Sequence, residues 1–105
     1  MQIKSELLWG KHIRKQKEAY ELLQNGKLPF GYYLLLATSD GRLEFAPSCM
    51  QKNRYFTSDE SLIFGVAYQK QEAYEMICDI LKQIYVEHVY KSVADYVNML
   101  WEDVC

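Results

Sequence analysis

The segment from residue 32 to residue 45 constrains the fold most, because it reads as two strands joined by a tight turn. Residues 32–37 are apolar at every position, which is typical of a strand covered on both faces. Ser39, Asp40 and Gly41 then supply a three-residue turn, with glycine where a positive φ is needed. Residues 42–45 alternate polar and apolar side chains, as in a strand with one face in water. The pattern predicts an antiparallel hairpin.

Residues 62–68 fit either a third strand or the start of a helix. Four of these seven residues are β-branched or aromatic, and Gly65 suits a helix poorly, which favours a strand. Thr57 and Glu60, however, have the spacing of a helix-capping box just before this segment. We expect the strand, so that the sheet consists of the hairpin and a third strand.

The amino-terminal segment is predicted to be a helix. The apolar residues at helical spacing on one of its faces are Trp9, Ile13, Tyr20 and Leu23. Ser5 could cap its first turn, and Asn25, Gly26 and Pro29 give a strong stop signal.

Two further helices are expected after Gln69. The apolar face of the first consists of Ala73, Ile77, Ile80, Leu81, Ile84 and His88. A break near Tyr90 follows, and Ser92 with Asp95 three residues later has the pattern of a new helix start.

Together these elements predict one α+β domain over residues 1–105. It would contain an N-terminal helix, a small antiparallel sheet and two C-terminal helices. Helices packed on one face of the sheet would bury all the apolar stripes with short connections. The strand order does not follow from the sequence.

Several protein classes are disfavoured by composition. No apolar run approaches the roughly 20 residues needed to span a bilayer, and the first residues lack the pattern of a signal peptide, so a cytoplasmic protein is expected. Cys49, Cys78 and Cys105 are far apart and odd in number, which argues against a disulfide framework or a zinc site. We expect no cofactor.

Charge is unevenly distributed along the chain. Residues 1–57 carry nine Lys or Arg against five Asp or Glu, a net charge of +4, whereas residues 58–105 carry three against nine, a net charge of −6. Asymmetry of this kind bears on binding partners rather than on fold.

The acidic half of the chain offers a contact surface on its helices. The residues that we call the acidic face are Glu72, Glu75, Asp79, Asp95 and Glu102. Glu75 and Asp79 are separated by a helical rise of about 6 Å, close to the spacing of successive phosphates on a nucleic-acid strand. Such a surface could occupy a basic nucleic-acid channel of another protein. The alternative is an ordinary solvated helix exterior.

A second candidate surface is basic. The residues that we call the basic cluster are Lys11, Arg14, Lys15 and Lys17, on the polar face of the first predicted helix. They could lie along a phosphate backbone and release its counterions. Against this interpretation, Glu18 lies one helical turn from Arg14, and Glu21 lies one turn from Lys17. Each glutamate could form an ordinary surface ion pair with that cation.

Thiol chemistry is a third possibility. Cys78 lies one turn before Lys82, whose charge would lower the pKa of the thiol, but it also borders the apolar helix face, where a packed thiol is inert. Cys49 has no predicted base beside it. His12 and His88 could pair with a thiol or an acid only through a tertiary contact. Since no catalytic motif is present, the chain is expected not to be an enzyme.

Tyrosine is abundant, with nine residues in 105. Tyr85, Tyr90 and Tyr96 cluster around the break between the last two predicted helices, and tyrosine is enriched at interfaces. A second copy of the chain could cover this region, which makes a homodimer one option.

The layout of one helix, a hairpin on a Ser39-Asp40-Gly41 turn and two acidic C-terminal helices resembles the small inhibitors encoded by phages and mobile elements. It is most similar to the anti-CRISPR proteins that act on the type II CRISPR nuclease. The resemblance is one of architecture over most of the chain and assigns no functional residue. It implies a stoichiometric binder, without a cofactor, that blocks a nucleic-acid site by charge.

We therefore expect a non-catalytic protein-interaction module. Its acidic face would contact a protein partner, for example an effector nuclease that binds nucleic acid. The alternatives are direct nucleic-acid binding by the basic cluster and a thiol-dependent enzyme or redox sensor that uses Cys78 or Cys49.

Overall fold

Four strands form one mixed sheet in a computed structural model of the chain, which describes residues 2–52 and 60–104. The strands are β1 (Gln2–Trp9), β2 (Tyr32–Thr38), β3 (Leu43–Pro47) and β4 (Ser61–Tyr68). Their spatial order is β1-β4-β2-β3. β1 runs parallel to β4, while β2 is antiparallel to both β3 and β4.

Three α-helices cover the sheet. They are α1 (Gln16–Gln24), α2 (Lys70–Tyr85) and α3 (Val93–Glu102), and a short 3-10 helix occupies Ser48–Lys52. Within the described residues, none of the helices combines the length and the apolar character that crossing a membrane requires.

The hairpin and the third strand are confirmed. Leu34 pairs with Ala46 across β2 and β3, and Gly41 in the connecting turn has a φ of 90°. Residues 62–68 belong to β4, so the strand interpretation of this segment is correct. Thr57 of the competing capping box lies outside the described residues.

The prediction of an N-terminal helix is correct only for its second half. Gln2–Trp9 is a strand, and the helix begins only at Gln16. Ile3, Leu7 and Trp9 pack on one core of the molecule at the two-residue period of a strand. Parallel pairing with β4 holds this segment extended, which is a tertiary effect that outweighs its local helical spacing.

Helices lie on both faces of the sheet, whereas the sequence led us to expect one covered face. α1 packs on one side with Leu34 and Leu36 of β2, and α2 and α3 pack on the other with Leu35 and Ala37. The uninterrupted apolar run of β2 follows from this arrangement, because each of its faces meets a helical layer.

A bulge at Phe64 shifts the alternation of side chains between the two faces of β4. Leu35 pairs with Gly65 and Leu36 with Ile63, so Phe64 is the extra residue. As a result Ile63 and Val66 contact the same core although they are three residues apart. Glycine is needed next to the bulge, because a methyl group at Gly65 would lie 2.7 Å from Leu35 Cδ1.

The two C-terminal helices are confirmed, including the start of α3. The Ser92 side chain accepts a hydrogen bond from the Asp95 backbone N–H at 3.1 Å, which caps the helix. Tyr96 packs edge-to-face on Phe64 and Tyr90. Burial, together with the nearby Tyr90, raises the pKa of Tyr96 to about 12.

Candidate functional site at the end of the parallel strands

The parallel strands β1 and β4 end side by side at one edge of the sheet, which we call the carboxyl edge. β1 leads into α1 on one face of the sheet, and β4 leads into α2 on the opposite face. Where two neighbouring parallel strands send their helices to opposite faces, a crevice opens beyond the strand ends. In open sheets that contain parallel strands, such a crevice is the usual ligand site.

A tight turn after β1 places His12 in this crevice. The Gly10 N–H donates to the Val66 carbonyl oxygen at 2.8 Å, which extends the pairing of β1 with β4. The Ile13 N–H then donates back to the Gly10 carbonyl oxygen at 3.0 Å, and the Ile13 side chain is buried. His12 therefore projects from a fixed backbone, although its side chain is 61% exposed.

Glu72 reaches the same point from the first turn of α2. Its side chain is only 5% exposed, and its carboxylate accepts three hydrogen bonds. Two come from backbone N–H groups, that of Tyr68 at 2.9 Å and that of His12 at 3.1 Å. The third comes from the His12 ring through Nδ1. A buried carboxylate is stable only with such partners.

The hydrogen bonds decide the charge of Glu72. Burial by itself raises the pKa of this carboxyl, but the bonds from Tyr68 and His12 outweigh burial and hold the pKa below its usual value. Glu72 is therefore ionised at neutral pH. Because an ionised carboxylate can only accept, the shared proton is carried by His12 Nδ1.

The resulting dyad has a defined chemical capability. With Nδ1 bonded to Glu72, the neutral imidazole has its lone pair on Nε2, directed away from the carboxylate. A pocket of about 370 Å³ lies here, and its lining residues are Lys11, His12, Tyr68, Gln69, Gln71, Glu72 and Glu75. A carboxylate that orients a histidine is the arrangement that many enzymes use to present a general base.

Burial removes Glu72 from the acidic face. The exposed contact that the sequence predicts for it is incompatible with a carboxylate enclosed by Tyr68 and His12. Glu75 and Asp79 are exposed, as expected, and both line a smaller cavity of about 230 Å³ beside β1. We call Glu75 and Asp79 the acidic pair.

The remaining members of the acidic face, Asp95 and Glu102, are exposed at opposite ends of α3. The start of α3 lies at the β2–β3 turn, where Gly41 approaches Ala94. Its end lies at β1, where Asp103 forms an ion pair with Lys4 at 3.3 Å. α3 therefore spans the far end of the sheet rather than continuing the strip on α2.

The basic cluster is exposed at the carboxyl edge. Lys11, Arg14 and Lys15 lie in the connection between β1 and α1, and Lys17 lies in the first turn of α1. Arg14 precedes the helix, so its expected helical pairing with Glu18 does not form. Within residues 2–52 and 60–104, no member of the basic cluster takes part in an ion pair.

Two exposed aromatic residues, which we call the aromatic pair, adjoin the same edge. Phe30 is 93% exposed, and Tyr68, at the end of β4, is 39% exposed. The Gln69 N–H donates to the Gly31 carbonyl oxygen at 2.7 Å, which fixes the loop carrying Phe30 beside the end of β4. Tyr68 also packs edge-to-face on Tyr32, with ring centroids 5.3 Å apart.

The two described thiols, those of Cys49 and Cys78, lie away from this site. Cys78 is half-buried on α2, where its hydrogen bond with the Tyr74 hydroxyl raises the pKa of Tyr74. Cys49 is exposed in the 3-10 helix, and Cys105 lies outside the described residues. Neither Cys49 nor Cys78 lines the pocket that His12 adjoins.

Sequence reasoning missed the dyad because its members are 60 positions apart. Neither residue stands in a motif, and the segment of His12 was assigned to a helix. The exposure of Phe30 was also missed, since an isolated phenylalanine in a polar loop has no distinguishing pattern. The pairing of β1 with β4 brings the two residues of the dyad together, and the hydrogen bond between Gln69 and Gly31 places Phe30 at the same edge.

Comparisons with protein-family models, with curated proteins and with solved structures gave no match for this chain.

Proposed function

We propose that this protein binds single-stranded nucleic acid at its carboxyl edge. The observation that carries the proposal is the placement of the basic cluster and the aromatic pair at one edge of the sheet. Exposed cations along a backbone path combined with exposed rings are the two elements of single-strand recognition. Direct nucleic-acid binding by the basic cluster is one of the alternatives that the sequence leaves open.

The cations are suited to phosphate contacts because no carboxylate in the described part of the chain forms an ion pair with them. Lys11, Arg14, Lys15 and Lys17 lie within a stretch of seven consecutive positions, and each is exposed. Contacts with phosphates would release counterions, which is the main source of affinity for nucleic acid. The net charge of −2 does not prevent this, since the negative charge belongs to residues 58–105.

The aromatic pair supplies exposed rings for stacking with bases, which the cations cannot provide. Bases of a single strand are free to stack on exposed rings, and each stacked base contributes about 1–3 kcal/mol. Phe30 has almost its entire ring in water, and a stacked base would remove this apolar surface from water. Tyr68 extends this platform towards Lys11, with which it shares the pocket.

Fluorescence anisotropy with a labelled single strand of about ten nucleotides tests the proposal. The double variant Lys15→Gln/Lys17→Gln should bind more weakly and should reduce the slope of log affinity against log salt by about 1.4 in magnitude. The matched control is Lys82→Gln/Lys91→Gln, which removes two exposed lysines from the distant end of α2 and the loop after it. Equal losses in both variants, or no binding by the wild type at low salt, would sink the proposal.

A second candidate function rests on the acidic pair. We propose that Glu75 and Asp79 contact a basic protein, such as the nucleic-acid channel of an effector nuclease, as the resemblance to phage-encoded inhibitors implies. Both side chains are exposed about one turn apart on α2, and neither forms an ion pair with a described residue. Because Glu72 is buried, the acidic surface of α2 consists of Glu75 and Asp79.

A pull-down from nuclease-treated cell lysate separates this candidate from the first. The variant Glu75→Lys/Asp79→Lys should lose any basic protein that the wild type captures in stoichiometric amount and releases with salt. The single reversal Glu87→Lys, at an exposed position beyond the end of α2, is the control. Retention of the captured protein by the double variant would exclude the acidic pair as its contact.

A further inference from the structure

We infer that the dyad of His12 and Glu72 is a ribonuclease site, in which His12 activates the 2′-hydroxyl of a bound RNA strand. The inference rests on the proposed function for its substrate and narrows single-stranded nucleic acid to RNA. It departs from the expectation that the chain is not an enzyme, which was based on the absence of a motif.

The geometry of His12 is that of a general base. Its Nδ1 is hydrogen-bonded to a carboxylate whose side chain is only 5% exposed and is held by two backbone N–H groups. An ordinary surface histidine in a loop is not oriented by a buried carboxylate. The Nε2 lone pair therefore has a fixed direction, and the 61% exposure of the side chain leaves it accessible to a substrate.

Lys11 provides the electrostatic part of the site. It lies in the same turn as His12, its side chain is exposed, and both residues line the pocket of about 370 Å³. An ammonium group close to the base can stabilise the negative charge that develops on a phosphate during displacement. A pocket of this volume is in the range of small-ligand sites, which suits a single nucleotide unit.

RNA is the substrate that these two groups can process, because it carries its own nucleophile. Among the described residues that line the pocket there is no serine, threonine or cysteine, and the one hydroxyl is that of Tyr68, whose ring packs on Tyr32. An aliphatic hydroxyl for the attack therefore has to come from the substrate. The 2′-hydroxyl of RNA lies next to the phosphate that it attacks, and it needs only a base and charge stabilisation. DNA lacks this group and would be bound without being cleaved.

The reaction balances without a further reagent. His12 Nε2 takes the proton of the 2′-hydroxyl while the 2′ oxygen forms a bond with phosphorus. The bond between phosphorus and the 5′ oxygen of the next nucleotide breaks, and water gives that oxygen a proton. The products are a 2′,3′-cyclic phosphate and a 5′-hydroxyl, and the imidazolium returns its proton to the hydroxide left in solvent.

Cleavage of a fluorogenic single-stranded RNA tests the inference, with the all-deoxy strand of the same sequence as the first comparison. We expect the RNA to be cut and mass spectrometry to find the 2′,3′-cyclic phosphate end. His12→Gln should lower the rate at least about 100-fold, the lower range for loss of a general base, while RNA affinity changes little. His88→Asn, at an exposed histidine with φ 55° beyond α2, should retain the wild-type rate and controls for copurified nuclease.

Glu72 is a positioning residue, so its variant needs a readout other than folding. Glu72→Gln should lower kcat with little change in KM, because the imidazole is misoriented while the binding surface remains. Nitrogen NMR should show the proton of wild-type His12 on Nδ1, and this preference should be lost in Glu72→Gln. A variant with unchanged kcat, or a wild-type imidazole protonated on Nε2, would contradict the assigned role.

The outcomes separate this inference from the proposed function. Binding of RNA without cleavage overturns the ribonuclease site and leaves nucleic-acid binding intact. Cleavage that persists at the wild-type rate in His12→Gln also overturns it. Absence of binding to either strand contradicts both proposals, whereas equal cleavage of RNA and DNA contradicts the role of the 2′-hydroxyl.

Discussion

The Glu72 carboxylate occupies the space that a side chain at position 10 would need. A methyl group built on Gly10 would overlap Glu72 Oε1. The absence of a side chain at the end of β1 is thus what allows a carboxylate from α2 to reach the backbone of His12. Glycine at position 10 allows the Glu72 side chain to approach the backbone closely, and this contact joins two segments that are about 60 residues apart.

Gly10→Ala should therefore destabilise the protein by expelling the carboxylate. We expect a loss of about 1–3 kcal/mol in the free energy of unfolding, as for other overpacked sites, measured by urea titration. Glu72→Ala should cost a similar amount, since it leaves the backbone N–H groups of Tyr68 and His12 without their acceptor.

The double variant Gly10→Ala/Glu72→Ala supplies the control for this mechanism. Once the carboxyl group is gone, the methyl group at position 10 has room, so the second substitution should add much less than it does alone. Fully additive losses would show that Gly10 is required for a reason other than contact with Glu72.

The stability that Glu72 contributes should depend on pH in one direction. The pKa of Glu72 in the folded protein lies below the usual 4.5, so the unfolded chain binds its proton more readily. The contribution is then complete above that usual value and is lost as the pH falls through the lower folded-state pKa. The measured quantity is the difference in unfolding free energy between wild type and Glu72→Gln. It should shrink on acidification below about pH 4.5, and a difference that grew in acid would contradict this assignment.

Local signals in the sequence were sufficient for the elements whose stabilising contacts are near in the chain. The hairpin follows from its turn at residues 39–41 and from the alternation after it. The start of α3 follows from a bond between Ser92 and Asp95, only three positions apart. The periodicity of α2 is correct for Ala73, Ile77, Ile80 and Ile84, which pack on the core. It is wrong for His88, which lies beyond the end of the helix and is exposed, because the helix ends at Tyr85.

The elements that could not be predicted depend on distant pairing. β1 is a strand because it pairs with β4, which begins about 50 residues after β1 ends, and no local pattern encodes that partner. The dyad depends on the same pairing, as it forms only where both strands end. The acidic face was predicted from helical spacing alone, which cannot show that Glu72 is turned inward at the first turn of α2.

Comparison of the Ser92 cap of α3 with Ser5 tests whether the N-terminal segment is a strand or a helix that Ser5 caps. Ser92→Ala should lower the free energy of unfolding by about 1 kcal/mol, because the Asp95 N–H loses its acceptor. Ser5→Ala is a matched control, since Ser5 is an exposed residue of β1 and caps no helix. It should change stability by less than about 0.5 kcal/mol. An equal loss at Ser5 would favour the N-terminal helix that the sequence suggested.

Phe30 should matter for binding and not for folding. Its ring is 93% exposed, so Phe30→Ala removes almost no buried contact and should leave the unfolding free energy within about 0.5 kcal/mol of wild type. If a base stacks on this ring, affinity for a single strand should fall by the equivalent of about 1–3 kcal/mol, with little effect on the salt dependence that the basic cluster sets. Tyr85→Ala is the control, because Tyr85 is equally aromatic and 64% exposed at the distant end of α2. Anisotropy titrations of both variants at several salt concentrations distinguish stacking from charge. Equal affinities for Phe30→Ala and wild type would limit the nucleic-acid surface to the basic cluster and remove the aromatic pair from it.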